Sequence, residues 1–424
     1  MKTIIELLNA NQKVSSYKIN VHNKESYELF YIKGKLETVR CTDTCDKEVT
    51  VYVDHGDFKG DSSFYVYPST TAEQLAELIE KAANTAMLIN NRHYDLPNAE
   101  SGSYVVESNF SDYSPAELAA QIANAAFAEN IIENASINSL EIFINKHTET
   151  VINSLGLNKT QIRYDAMVEA IPTFNGTEQS VELYEQYNFS AFNEAAVRSE
   201  IAEKLAEVKA RYEAVKPDAK ITCKIILNKL ELYQLFADLA EHFSYGAVHG
   251  HYSLFKKGDA IQKDATGDLI GITMAGSVPG SIRSAMFDRD GLSLGTMRII
   301  ESGKGLNYFG ANRFGQYLGE TPTGALSCIC VDPGSAEAAA FENGPYLEVV
   351  SMSGLQVDFF NDYIGGEIRL AYYNSGEKTI PVTGISFSGK LSDALSNIRL
   401  SSELAMHKGY YGPKKAILES VEIF

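Results

Sequence analysis

The sequence predicts an α+β protein, with sheet-and-helix structure in the N-terminal part followed by a large, mainly antiparallel β-rich C-terminal domain. Three observations lead there. Runs rich in Val, Ile, Tyr and Thr fill residues 15–53, a composition suited to a pleated, half-buried surface. Helix-capping signals and apolar residues at helical spacing recur between residues 70 and 215. From Lys220 onward helices become scarce, and glycines such as Gly267, Gly276, Gly291 and Gly303 punctuate short β-type runs. A chain of 424 residues exceeds what one hydrophobic core commonly supports. Three units are therefore expected: an α/β subdomain over 1–100, a central α+β subdomain over 101–217 and the β-rich domain over 218–424.

Taken in order, Met1 to Leu8 reads as an amphipathic helix, and Ser15–Tyr31 and Leu36–Val53 as strands joined by a turn at Lys33-Gly34-Lys35. Thr70 to Glu73 reads as a capping box ahead of a helix whose apolar stripe is Leu75, Leu78, Ile79 and Ala82. Asn90–Ser111 lacks a sustained period and reads as a linker. Ser114-Pro115-Ala116-Glu117 combines a capping hydroxyl, a proline at the first helical position and a reciprocal carboxylate, the strongest helix start in the chain. Strands follow at Ser139–Ile144, Asn153–Ala170 and Ser180–Phe189, then a helix from about Ala191 to Val215, stopped by Lys216-Pro217-Asp218. The C-terminal domain opens with a strand at Ile221–Leu227 and a helix from about Leu230 to Phe243.

Composition narrows the function. Thirty-seven basic against 55 acidic residues give a net charge of -18, which repels phosphate backbones and argues against direct nucleic-acid binding. No apolar run reaches the roughly 18 residues of a membrane span, so no membrane partner is expected. The N-terminus turns acidic after two apolar residues, unlike a secretory leader, and five cysteines do not make a disulfide framework. A cytoplasmic protein is expected.

No histidine is followed by Glu, which removes the zincin helix. Gly384 to Lys390 spaces its residues like a phosphate loop, but Leu391 stands where Ser or Thr would hold magnesium. Cys41 and Cys45 are one residue too far apart for a redox pair; Cys328 and Cys330 share one face of a strand and read as buried small side chains. His242, His249 and His251 remain. Were His249 and His251 on a strand, both would face one side and could reach a zinc, with a third ligand from His242, Cys328 or Cys330 and, with His242, Glu241 as base; histidines hydrogen-bonded at a helix end are the commoner alternative.

Several C-terminal segments carry a resemblance. Ser351 to Asp358, Asp362-Tyr363-Ile364-Gly365-Gly366-Glu367 and Ile380 to Leu391 resemble, in order and spacing, the closing domain of the TldD/TldE (PmbA) family. Phe287-Asp288-Arg289-Asp290-Gly291 resembles that family's Phe-Asp-acidic-Gly segment, and Gly34-Lys35-Leu36-Glu37 its N-terminal hairpin. The resemblance implies a metalloprotease family, called modulators of DNA gyrase and linked to peptide processing. TldD-type chains hold a metal with a His-Glu-x-x-x-His helix and a later Cys; TldE-type chains lack these and pair with a TldD-type partner. Here Asp238–Gly258 contains no such motif, and no Cys occurs from Val331 to Phe424. The chain therefore resembles the TldE side: a non-catalytic subunit without a cofactor, or a peptide-binding homodimer. On that reading His249, His251 and Arg283 are candidate groove residues, Arg283 for a peptide carboxylate, with a surface salt bridge as its ordinary alternative. The rival reading is a divergent metallopeptidase active alone through His242, His249 and His251.

Overall fold

The structure is a computed structural model that describes residues 1–128 and 131–424. Its N-terminal half is built on four long strands, β1 (Ser16–Ile32), β2 (Lys35–His55), β5 (Ala135–Asn153) and β6 (Asn158–Asn175), of 17 to 21 residues each. With β3 (Phe58–Val66) and β4 (Ser101–Val105) they follow the order β3-β2-β1-β5-β6-β4. The short β7 (Ser180–Glu182) and β8 (Glu185–Phe189) pair along β6 and complete eight strands. Lys33 and Gly34 both have positive φ, 50° and 75°, the conformation a two-residue hairpin needs to match strand twist.

Alternation divides this sheet into two chemically different faces. Tyr17, Ile19 and Leu29 of β1 share a face with Val49, Val51, Ile142, Ile144, Ala166 and Val168, and there they are buried. Covering that face are α1 (Lys2–Ala10), α2 (Ala72–Ala86), α3 (Pro115–Ala128) and α4 (Glu194–Glu213), through Leu8, Ile79, Ile122 and Ile201. The opposite face carries His22, Lys24, Ser26 and Glu28 in register with Glu149, His147, Asn145 and Phe143. Ser114 and Glu117 form the expected capping box, but the box before α2 falls one residue later, between Thr71 and Gln74. Thr70 instead accepts from the backbone of Tyr67.

The C-terminal half contains two sheets. One runs β12 (Lys304–Gly305), β11 (Thr296–Glu301), β10 (Ile272–Ala275), β13 (Cys328–Val331), β21 (Tyr410–Pro413), β20 (Leu404–His407). The other runs β19 (Arg399–Leu400), β22 (Lys415–Leu418), β9 (Lys224–Asn228), β14 (Tyr346–Met352), β16 (Tyr363–Asn374), β18 (Ile385–Lys390), β23 (Val421–Ile423), with β15 (Gln356–Asp358) and β17 (Thr379–Val382) beside β16. The helix α5 (Lys229–Glu241) packs Leu232, Leu235, Phe236 and Leu239 into a core shared with Ile272, Val331, Leu347 and Ile368. The phosphate-loop look-alike is strand β18, whose residues pair with Tyr363–Ile368, so its backbone does not form an anion-binding loop.

The divide expected at residue 100 falls inside the N-terminal sheet, and that expected at 217 falls between α4 and β9. Segment 90–111 is more than a linker. Tyr94 packs with Tyr52 and with Tyr317 of α7 (Asn312–Leu318), while Asn312 and Gln316 hold the backbone of Asp95. A second contact joins the polar sheet face to residues 276–294. Gln161 Oε1 accepts the backbone N–H of Met286 at 2.7 Å and of Phe287 at 3.4 Å. The Lys159 ammonium, fully buried, reaches Glu100 at 2.6 Å and Ser293 at 2.8 Å.

Gln161→Leu leaves those two N–H groups without their acceptor, and an unsatisfied buried donor costs about 1–3 kcal/mol. The expected outcome is a lower urea midpoint and faster proteolysis within 276–294, both measurable on the whole chain.

Candidate functional site

Where residues 282–289 meet the polar sheet face, a cleft of about 550 Å³ remains, bordered by His22, Glu149, Gln161, Arg163, Arg283 and Asp288. The strand register assembles its floor. His22 Nε2 lies 2.9 Å from His147 Nδ1, and His147 Nε2 lies 2.7 Å from Asp165 Oδ2. Asn145 donates to the other Asp165 oxygen at 2.7 Å. Ionised Asp165 only accepts, so His147 carries its proton on Nε2 and accepts at Nδ1; His22 then donates from Nε2 and keeps Nδ1 as its basic atom. The three side chains form a continuous hydrogen-bonded chain that ends on His22 at the cleft.

The electrostatics of the cleft shift several of these groups. Burial, then the adjoining His147, pushes the His22 pKa below its ordinary value. Burial alone would raise Asp165, but the hydrogen bonds from His147 and Asn145 outweigh it and hold the carboxyl below the usual range. Glu149 is likewise lowered against its burial, by Arg163, which grips it at 2.7 and 3.1 Å, and by Gln161 at 2.7 Å. Asp288 is raised, chiefly by burial, while it accepts backbone N–H groups of Asp290, Leu292 and Ala325.

Arg283 stands at the cleft, exposed, and the salt bridge that was its ordinary alternative is not formed with any described residue. The histidine cluster is not assembled. His242 ends α5, is buried, and accepts the backbone N–H of Leu254 at Nδ1, with its ring enclosed by Phe255, Phe359 and Phe360. His249 is exposed at the end of the short α6 (Tyr245–His249), against Phe314 and Tyr317; His251 follows in a left-handed turn with φ 58°. They share no strand, neither borders the Arg283 cleft, and among the described residues no group of three or more His, Cys, Asp or Glu is placed to hold a metal. Cys328 and Cys330 have thiols raised by burial, which keeps them protonated. The Asp165–His147–His22 chain had no sequence motif. Its one signal was the alternation of polar residues on strands too long to be covered on both faces.

Residues 220–423 match the PmbA/TldA metallopeptidase C-terminal domain. That match spans the β-rich C-terminal part of the chain. Over the whole chain the fold is that of TldE from Thermococcus kodakarensis, at TM-score 0.79 and 16% identity, covering 99% of both chains. It is also that of two proteins described as proposed DNA gyrase modulators. One, from Thermotoga maritima, has TM-score 0.76 and 14% identity over 100% of this chain and 99% of that one. The other, from Bacteroides thetaiotaomicron, has TM-score 0.77 and 12% identity over 100% and 97%. No curated protein matches the sequence. The end of α5 offers His242 in an aromatic enclosure, and no donor set converges on a metal position among the described residues. No helix among the described residues is long and apolar enough to cross a membrane.

An unfolded chain protonates a histidine near 6.5, whereas folded His22 does so at lower pH. Acidification below 6.5 therefore puts more protons on the unfolded state, and the stability contributed by neutral His22, full above that value, is lost as pH falls toward its folded pKa. Thermal unfolding should show the wild-type melting temperature dropping between about pH 7 and 5.5. The drop should be smaller in His22→Gln.

Proposed function

We propose that this chain is the non-catalytic, TldE-like subunit of a peptide-processing metalloprotease, working in the cytoplasm with a TldD-type partner or as a homodimer, and that it binds peptide without a metal of its own. The observation that carries the reading is the contrast between two places. The end of α5, where the family resemblance would put metal ligands, is closed by Phe255, Phe359 and Phe360 around His242. The interdomain cleft presents Arg283 with no carboxylate paired to it among the described residues. A guanidinium in that position suits a peptide carboxylate, which it can engage with two parallel hydrogen bonds. The cleft also offers His22 Nδ1 as an acceptor for a peptide N–H.

Metal analysis by mass spectrometry, on protein purified without a metal-affinity tag, is expected to find far less than one metal per chain. Peptide hydrolysis is expected only when a TldD-type chain is added. Stoichiometric metal together with chelator-sensitive cleavage by this chain alone would overturn the reading. Replacing Arg283 with Gln removes one charge-assisted contact, so peptide retention by the assembled complex should weaken about tenfold, or roughly 1.4 kcal/mol.

A further inference from the structure

A second, charged cavity lies between the N-terminal sheet with α4 and the two C-terminal sheets. It encloses about 680 Å³. Its N-terminal wall, from β8 and α4, carries Glu185, Glu200, Glu203 and Glu207 against Lys204. Its C-terminal wall carries Lys229, Lys408, Lys414 and Lys415 against Glu231 and Glu348. Most of these charges are matched locally: Lys204 serves both Glu185 and Glu207, Lys229 pairs with Glu200, and Lys415 with Glu348. Lys408 has no ion-pair partner among the described residues, and Glu203 has only the hydroxyl of Ser199. The cavity thus keeps an uncommitted cation on one wall and an uncommitted anion on the other.

Two edge strands border the same space. β8 pairs only with β6, and β20 only with β21, so each has a backbone edge that bonds to no other described strand. All five residues of β8, and Met406 and His407 of β20, line the cavity. Free edges of this kind accept an extended chain by strand addition. Asn188 Nδ2 and His407 Nε2, on these two strands, are buried without a hydrogen-bond partner, a cost that a polar ligand can relieve. Between them Phe189, Leu230, Val350 and Met406 give apolar surface for side chains.

We propose that this cavity is a second binding site, for a short zwitterionic peptide in extended form. Its carboxylate lies toward Lys408, its amino group toward Glu203, and its backbone runs along the β8 or β20 edge. The proposal rests on the peptide-handling reading above and adds a site separate from the Arg283 cleft. The volume falls within the range of small-ligand sites and admits a few residues, not a folded protein.

The test is calorimetric titration of the full-length protein with a free tetrapeptide of alanine and leucine, beside its N-acetylated and C-amidated forms. Binding is expected to weaken at least tenfold on amidation, in Lys408→Gln, and in Met406→Trp, which fills the cavity; Arg283→Gln should leave it unchanged. Matched melting temperatures establish that the variants are folded. No binding of the free peptide, or binding indifferent to amidation and to both cavity variants, overturns the proposal. Sensitivity to Arg283→Gln alone overturns it too, placing the peptide in the cleft and leaving the subunit reading intact. Conversely, loss of binding in Lys408→Gln by a chain that no TldD-type partner needs for cleavage keeps the cavity and removes the subunit reading.

Discussion

A buried ammonium group sets the relation between the two halves of this molecule. Lys159 sits on β6 with no exposed surface, and the partners that compensate its charge come from other parts of the chain, Glu100 before β4 and Ser293 in the C-terminal half. A charge taken from water is tolerated only where such partners hold their places. Residues 276–294 are therefore fixed on the polar face of the sheet, and Gln161 fixes the same loop by its backbone. The cleft beside Arg283 follows from that docking, because its walls are the sheet floor and the anchored loop. A lysine replaced here by an apolar residue would leave Glu100 and Ser293 facing one another without the cation between them.

The long strands explain why the sheet can have such a face at all. A strand of about six residues is ordinary, and one face of it is covered by a helix. Strands of 17 to 21 residues extend past their helices and must find cover from elsewhere or stay wet. Here the polar face is partly covered by the other half of the protein, and its buried polar groups find partners close by: His147 and Asn145 on Asp165, Gln161 on Glu149 and the Met286 backbone. The Asp165–His147–His22 chain is thus first a solution to a burial problem. Its chemical consequence, a fixed tautomer ending in a basic nitrogen at the cleft, comes with that solution.

Local signals carried the elements well and their assembly poorly. The Lys33-Gly34 turn, the Ser114 capping box and the helix after Asn228 were all readable, because each is decided by residues within four positions of one another. The Thr71 box was misplaced by one residue because two threonines and two possible partners stand in sequence, and only the backbone decides between them. Segment 90–111 looked structureless since its order comes from Tyr52 and Tyr317, distant in sequence. The histidines failed for the opposite reason. Closeness in sequence suggested a ligand set, yet the chain turns at Gly250 and His251 and sends His242 into an aromatic enclosure. Arg283 was readable as a candidate, but the floor it faces was not, since His22, His147 and Asp165 come from three strands.

Two spaces between the N-terminal sheet and the C-terminal half invite comparison of what each can discriminate. The Arg283 cleft has an uncommitted cation beside carboxylates of which Glu48, Glu149 and Asp288 are already engaged. It can select for a negative end and says little about the rest of a ligand. The larger cavity has free charges of both signs and two free strand edges, and so measures length as well as charge. Where both ends of a ligand must be satisfied, a peptide too short leaves one buried charge alone, and one too long must put its terminus against an apolar wall. On the proposed reading, selection of this kind is what a subunit that holds no metal would contribute to proteolysis, with bond cleavage left to the active site of its partner.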